Sequence, residues 1–391
     1  MANRLNEINT ARVLQLLWYS KGISRADMSR ELGLSKSTVT NIVSSLEKRD
    51  LVRLVESGQS GPAGGRRPLV LAINARYGYI LGLEIQTEFF KAVGTDLQGE
   101  VVFSHSQSMA FAGKGIAEIF AEVLRALKPA LRKVGLPLIG VGLGVAGIIN
   151  QAEGIIVQSN PLGVGSRTEF YKEIAGLLDV PVMIENDANC CCWGELAFRK
   201  TERHGSFIFV LGEFRKGRTS GQDYWGTAIG TGLVLDGKVR HGDGFSAGEY
   251  KSILWKEGNS NQFSLSDSEV KRVKEDPAVR SRIIRELCAH VAFMVNALNL
   301  TCVVVGGEIS VYKDEIVETL REEIRRNWSY DDEVDCAIEF AALGEMAVAY
   351  GAAGMFLERF FSIPGSVDAG DATERFRLAS LREATLKEGT E

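Results

Sequence analysis

A helix-turn-helix head with a β-hairpin wing, followed by a two-lobed α/β body, is the fold class that the sequence predicts. Three observations predict it. Residues 24–67 run through two short helical patterns, a glycine turn and a basic hairpin. Residues 1–70 hold eleven Lys/Arg against six Asp/Glu, whereas the whole chain carries a net charge of −5. From Tyr77 the chain becomes Gly-rich and runs twice through a strand-rich theme.

The head comes first. Val13, Leu14 and Leu17 make one face of a first helix. Ser24 and Asp27 fit the S-x-x-D start of a second helix, which carries Ala26, Met28 and Leu32 and turns at Gly33. Ser35 caps a third helix, whose apolar positions Val39, Ile42, Val43 and Leu46 follow one buried stripe. The opposite face offers Lys36, Ser37, Thr38, Thr40, Asn41 and Ser44. These short donors and acceptors sit at the N-terminal end, where groove-reading helices meet base edges. Leu51–Val55 and Leu69–Leu71 read as hairpin strands around the loop Gly64-Gly65-Arg66-Arg67-Pro68. Arginines on a glycine arm suit phosphates and a narrow minor groove. The candidate DNA contacts are therefore Arg25, Ser35, Lys36, Ser37, Thr38, Thr40, Asn41, Arg66 and Arg67. A three-helix unit for protein contacts competes with this reading, but the basic wing and the lopsided charge favour DNA.

Composition excludes other classes. At 391 residues and 45% hydrophobic content, the chain predicts two to three domains with packed cores. The apolar runs, such as Ile139 to Ile149, are short and Gly-rich, so no membrane span is expected, nor a signal peptide. Of six cysteines, Cys190, Cys191 and Cys192 are consecutive, which favours reduced core thiols and a cytoplasmic protein, nucleoid-associated when DNA-bound.

In the body, Ile80–Ile85 reads as a strand, Ala92–Gly99 as a second strand and a turn, and Glu100–Phe103 as a third strand, a β-meander. Helical patterns follow at Ile116–Lys133 and Thr168–Leu178, with a buried strand Leu138–Leu143 between them. Val180–Ile184 runs into Glu185-Asn186-Asp187-Ala188-Asn189. A second lobe repeats the theme with Phe207–Leu211, Gly226–Leu235 and Gly237–Val239, then a long helix near Ala278–Leu298 and the strand Thr301–Val305 before Gly306-Gly307. Two lobes that each open with a meander suggest an actin/hexokinase-like (ribonuclease H-like) architecture with a cleft. The expected division is a head at 1–75, a first lobe at 76–187 with a C-terminal helix at about 343–362 packed on it, a second lobe at 188–342 and a polar tail at 363–391.

The ordered segments SRADMSRELGLSKSTVT, GGRRP, GVGLGVAGIIN, QSNPLG, IENDANCCCWGE, GTAIGTGLVLDGKVRHGDGFSAGE, VVVGGE and AYGAAG make the chain resemble the ROK family of repressors, open reading frames and kinases. It is most similar to the branch of sugar-responsive repressors that includes the xylose and N-acetylglucosamine repressors. The resemblance implies a sugar in the cleft, held by the loop Val145-Ala146-Gly147, by Asn160, by Asn186 and Asp187, and by Glu249. Asp187 matches the catalytic base of the family's kinases. The expected effector contacts are Gly147, Asn160, Asn186, Asp187 and Glu249. Amides and carboxylates each pair two neighbouring hydroxyls, as polyol recognition needs. Without the resemblance, Asn186-Asp187 reads as an ordinary strand-to-helix cap.

Two departures from the family pattern matter. The first phosphate loop of the family is Asp-x-Gly-x-Thr, and here Glu84-Ile85-Gln86-Thr87 stands in its place. Gln86 adds bulk where a phosphate would approach. The second loop, Gly226–Gly232, and Gly306-Gly307 on the nucleotide side keep their glycines. The family's zinc motif, a Gly-His followed by clustered cysteines, is replaced by Gly248-Glu249-Tyr250-Lys251-Ser252-Ile253, with no cysteine between Cys192 and Cys288. The four histidines, His105, His204, His241 and His290, are scattered, so no metal is expected. The lost family histidine alters the pocket, where Lys251, Ser252 or Trp255 can take its space. Residues Glu213–Trp225 look like a polar insertion read as a solvated loop, with Tyr224 and Trp225 as packing or sugar-stacking aromatics.

The sequence thus predicts a DNA-binding repressor of carbohydrate-utilisation genes, governed by a sugar or polyol, with no catalytic residue and no cofactor. The expected partners are a palindromic operator and a second copy of the chain, with a dimer of dimers as the larger option. Two alternatives stand beside it: an ATP-dependent sugar kinase with a DNA-binding head, and a DNA-binding regulator controlled by a protein.

Overall fold

The computed structural model describes residues 2–20, 22–57, 69–111, 113–199, 204–219, 222–342 and 344–363. The head comprises α1 (Ala2–Tyr19), β1 (Ile23–Ser24), α2 (Arg25–Leu32), α3 (Lys36–Lys48), β2 (Val52–Ser57) and β3 (Leu69–Ile73), with strand order β1-β3-β2. The Ser24 hydroxyl caps α2 by accepting from the Asp27 amide at 3.2 Å, and Gly33 ends that helix at φ +64°. Ser35 caps α3 through the Thr38 amide at 3.1 Å. Val39, Ile42, Val43 and Leu46 of α3 are all buried, as the stripe predicts. Sequence reading missed β1, whose two residues pair with Val70 and Leu71.

The first lobe contains β4 (Tyr79–Ile85), β5 (Phe89–Asp96), β6 (Val101–Ser108), α4 (Ile116–Leu131), β7 (Leu138–Val145), β8 (Ile148–Asn150), β9 (Ile155–Gln158), α5 (Phe170–Glu173) and β10 (Val182–Asn186). Helix α6 (Asp187–Phe198) leads out of it. The second lobe contains β11 (Phe207–Thr219), β12 (Gln222–Leu235), β13 (Lys238–Arg240), α7 (Asp267–Val270), α8 (Pro277–Leu298), β14 (Cys302–Gly306), α9 (Lys313–Arg326) and β15 (Ala337–Phe340). The chain then enters α10 (Ala347–Phe360).

The two large sheets share one topology. The first runs β10-β7-β4-β5-β6 and the second β15-β14-β11-β12-β13. In each, a three-stranded antiparallel meander is followed by two strands added in parallel beside its first strand. This is the two-lobed, actin/hexokinase-like arrangement that the paired meanders predict. Helix α10 returns to the first lobe and lies close on its sheet. A Cβ at Gly82 would meet the Ala349 carbonyl oxygen at 1.9 Å, so only glycine admits the helix there.

Two expectations change. The helix expected at Thr168–Leu178 shrinks to α5, because Gly176 takes φ +82° soon after it. The insertion Glu213–Trp225 is not a loop. Strands β11 and β12 pair continuously out to Thr219 and Gln222, and the polar sequence marks a ribbon projecting from the sheet. The side chains at 215–225, including Tyr224 and Trp225, lie outside the described residues, as do Gly64–Pro68 and the tail from 364. Among the described residues, no helix is long and apolar enough to cross a membrane.

Candidate functional site

The exposed face of α3 carries Ser35, Lys36, Ser37, Thr40 and Asn41, with Thr38 half-buried. The Ser35 hydroxyl lies 2.9 Å from that of Ser37 and 2.8 Å from that of Thr38, and Thr40 Oγ1 donates to the Lys36 carbonyl at 2.8 Å. The first turn is therefore a preordered polar surface with Lys36 and Asn41 projecting from it. Arg25 stands apart from this group, because its guanidinium is held by Glu47 at 2.7 Å. Arg66 and Arg67 lie outside the described residues.

The second cluster joins both lobes. Strand β7 ends at Val145, and Gly147 follows at φ +133°, where a Cβ would meet the Gln158 carbonyl at 2.3 Å. Asn186 caps α6: its side-chain oxygen accepts from the Asn189 amide at 3.1 Å, and its side-chain nitrogen donates to the Gly147 carbonyl at 3.0 Å. The cap reading of Asn186 thus holds, and the same side chain fixes the 145–147 turn. Asp187, 5% exposed, opens α6, where the positive helix end favours a carboxylate. Its Oδ1 accepts from the Ala188 amide at 2.9 Å. Across from it, Thr231 fixes Gly248 by donating to its carbonyl from Oγ1 at 2.7 Å, which presents Glu249. Partial withdrawal from water, and then the Asp187 charge, push the Glu249 carboxyl up. Asn160 is exposed, its Oδ1 accepting from Gln158 at 3.2 Å.

Behind this cluster lies a carboxylate that sequence reading passed over. Glu185 is fully buried and accepts from the Asn186 amide at 2.9 Å, from Asn189 Nδ2 at 3.3 Å and from the Trp193 indole at 3.3 Å. His241 of the second lobe meets it at 2.8 Å. Burial alone would raise its pKa, but the His241 contact and Arg359 outweigh that and hold it below the usual carboxylate range. The available signal was a lone glutamate closing an apolar strand, directly before Asn186-Asp187.

Residues 80–254 match the ROK family and residues 7–61 the MarR family. This chain carries a ROK domain behind a MarR-type helix-turn-helix. A xylose repressor from Caldicellulosiruptor bescii is 25% identical over 407 residues, spanning 92% of this chain and 98% of that protein. Among solved structures, a ROK family transcriptional regulator, a homologue of the E. coli MLC protein, superimposes with a TM-score of 0.72 at 18% identity, covering 97% of this chain and all 100% of that one. A ROK family glucokinase from Streptomyces griseus, in complex with glucose and AMPPNP, gives a TM-score of 0.55 at 18% identity over 71% of this chain and 99% of its own. The body superimposes on kinases, and the head-plus-body arrangement on a regulator.

The turns that match the phosphate loops in the family pattern are filled by the chain's own side chains. Glu84 and Gln86 are buried, and Gln86 donates to Glu84 at 3.1 Å. The Lys91 ammonium lies 3.8 Å from Glu84 and donates to the Glu345 carbonyl at 2.7 Å. At the Gly306-Gly307 turn, a Cβ at Gly307 would meet Glu213 Oε1 at 2.6 Å. The neighbouring Glu308 accepts from the Phe214 amide at 2.7 Å and pairs with Lys274 at 3.3 Å.

Where the resemblance would place zinc ligands, the chain offers Glu249, Tyr250, Lys251 and Ser252, with no cysteine or histidine among them. This segment is pinned by amides instead. Gln262 Nε2 donates to the carbonyls of Ile229 at 2.7 Å and Tyr250 at 2.8 Å. Asp267 accepts from the Ser260 amide at 3.0 Å and from Asn261 Nδ2 at 2.6 Å, and these bonds outweigh burial and lower its pKa. Lys251 and Trp255 engage each other, the ammonium 3.2 Å from the ring centroid. Spacing alone did not reveal that the fold gathers His204, Cys302 and Glu339 to within 4.8 Å. There Arg199 already pairs with Glu339, and burial pushes the Cys302 thiol up to about 12.

Proposed function

We propose that this protein is a sugar-responsive, DNA-binding repressor of carbohydrate-utilisation genes. The observation that carries the reading is the polar, exposed first turn of α3 on a head whose apolar core continues into helix α10 of the body. Lys36, Ser37, Thr38, Thr40 and Asn41 would read the major groove, and Arg66 and Arg67 would reach phosphates or the minor groove. Arg25, held by Glu47, would serve as a brace beside the backbone more than as a base reader. In the cleft, Asp187 and Glu249 would accept sugar hydroxyls, with Gly147 and Asn160 at the rim and Asn186 holding the turn. The xylose repressor relative makes D-xylose the first sugar to try.

A kinase is the weaker reading for an electrostatic reason. Phosphoryl transfer needs cations and backbone amides at the phosphates. Here Glu84 is bound to Lys91 and Gln86, and Glu213 and Glu308 stand at Gly307. A triphosphate entering that corner would face carboxylates.

A dimer would set two recognition helices ~34 Å apart on a palindromic operator. Sugar would weaken operator binding only as far as it prefers one lobe arrangement over the other. A cytoplasmic site of action follows from this role. The test is selection of DNA from a random pool, then mobility shift with D-xylose, D-glucose and N-acetyl-D-glucosamine. A palindromic site released by a sugar is the expected result. Absence of sequence preference, together with ATP-dependent phosphorylation of a sugar, would overturn the reading. Replacing Arg66 and Arg67 together by alanine is expected to lower the salt slope of operator binding by about 2 per head, about 4 for the dimer.

A further inference from the structure

Glu185 does more than neutralise a neighbour. Its two oxygens gather groups from three parts of the protein. Oε1 accepts from the Asn186 amide at 2.9 Å and from Asn189 Nδ2 at 3.3 Å, inside the turn that presents Asp187. Oε2 accepts from Trp193 Nε1 at 3.3 Å and lies 2.8 Å from His241 Nε2. An ionised carboxylate only accepts, so the facing ring nitrogen of His241 carries the proton. His241 follows β13 in the second lobe, and its backbone carbonyl accepts from the Ala247 amide at 3.0 Å, at the foot of the turn that presents Glu249. The Trp193 ring lies 5.6 Å from the Arg359 guanidinium of α10, the helix that grips the head. Both carboxylates of the cleft are thus tied to one buried acceptor.

We propose that Glu185 is a positioning residue: through His241 it locks the Glu249 loop of the second lobe against the Asn186-Asp187 turn of the first, so that the two halves of the sugar site are held in register. This rests on the sugar-binding reading above. A charge-assisted hydrogen bond inside a buried cluster is short, directional and costly to leave unmade. Without it, Asp187 and Glu249 would keep their local folds but lose their mutual placement.

The test compares wild type with His241→Phe, which fills the space without a donor, and His241→Gln, whose amide can still donate to Glu185. Hydrogen exchange is read in the absence of any ligand. His241→Phe is expected to speed exchange about tenfold in segments 185–190 and 239–249 together, and His241→Gln to restore both to within about threefold. The second measurement is a calorimetric titration with whichever of D-xylose, D-glucose and N-acetyl-D-glucosamine binds wild type. His241→Phe is expected to weaken that sugar about tenfold and His241→Gln to recover most of the loss. Faster exchange at 239–249 alone, or a glutamine variant no better than phenylalanine, would overturn the proposal. A wild-type protein blind to all three sugars would count against the sugar-binding reading. The exchange measurement would then decide the lock by itself.

Discussion

Asp187 and Glu249 divide the work of the proposed sugar site by their surroundings. Asp187 sits at the positive end of α6, a place that stabilises its charge. Glu249 faces that charge, and its carboxyl is pushed up. Asp187→Asn keeps the size and the cap geometry but turns an acceptor pair into a mixed group. The sugar concentration that half-releases operator DNA is expected to rise at least about tenfold in a mobility-shift titration. An unchanged midpoint would remove Asp187 from the site. For Glu249 the sign runs the other way in stability. A raised folded pKa means that the folded protein prefers the protonated acid. Ionisation at neutral pH therefore costs stability, and the cost is relieved as pH falls through the folded value. Glu249→Gln is expected to raise the melting temperature at pH 7 and to flatten its pH dependence above the ordinary carboxylate value, while weakening sugar binding. Asp187 and Glu249 were legible because the ordered motifs name them. Glu185 and His241 were not, because 56 positions separate them and only the fold brings them to 2.8 Å.

Elements with strong periodicity were legible, and those defined by distant partners were not. Helices α3 and α8 follow their apolar stripes and start at side-chain caps, Ser35 and Asp276. Strand β1 is two residues long and exists only because β3 lies beside it. Strand β15, half-buried at the sheet edge, gives no alternation over its four residues. The ribbon of β11 and β12 was misread because its polar residues carry no apolar alternation, and only the pairing of the two strands defines it. The segment 250–267 is tied down by side-chain amides and by Asp267. Asp267→Ala is expected to destabilise the protein by about 1–2 kcal/mol in urea unfolding, because the Ser260 and Asn261 amides lose the carboxylate that accepts from them. A chelator is expected to leave the melting temperature unchanged. A fall on chelation would instead direct attention to His204, Cys302 and Glu339.

At the scale of the whole molecule, the head is built into the body. One cluster of buried apolar side chains runs from Val13, Leu14 and Leu17 of α1 through Val39 and Leu46 of α3 to Met355, Phe356 and Phe360 of α10. Trp18 stacks on Phe361 with ring centroids 4.9 Å apart, and the Tyr19 hydroxyl donates to Glu358 at 2.9 Å. Gln98, in the first lobe, donates to the Ile73 carbonyl of the head at 2.6 Å. On its other side α10 packs against α6, whose N-terminus is Asp187: a Cβ at Gly351 would meet the Cys190 carbonyl at 1.9 Å. Tightly packed helices move as units, because interiors this dense do not deform gradually. A change in lobe arrangement at the start of α6 therefore has a mechanical route to α1. If this joint is what couples sugar to DNA, loosening it should separate the two activities without touching either site. Trp18→Ala removes the stacked ring from the joint, at a cost of about 3–5 kcal/mol. Calorimetry is expected to show wild type melting the head and the first lobe in one transition, and Trp18→Ala splitting off an earlier one. Below that earlier transition the variant is expected to bind both operator and sugar, with sugar no longer shifting operator affinity. A variant that still releases DNA at the wild-type sugar concentration would show that the signal reaches the head by another path.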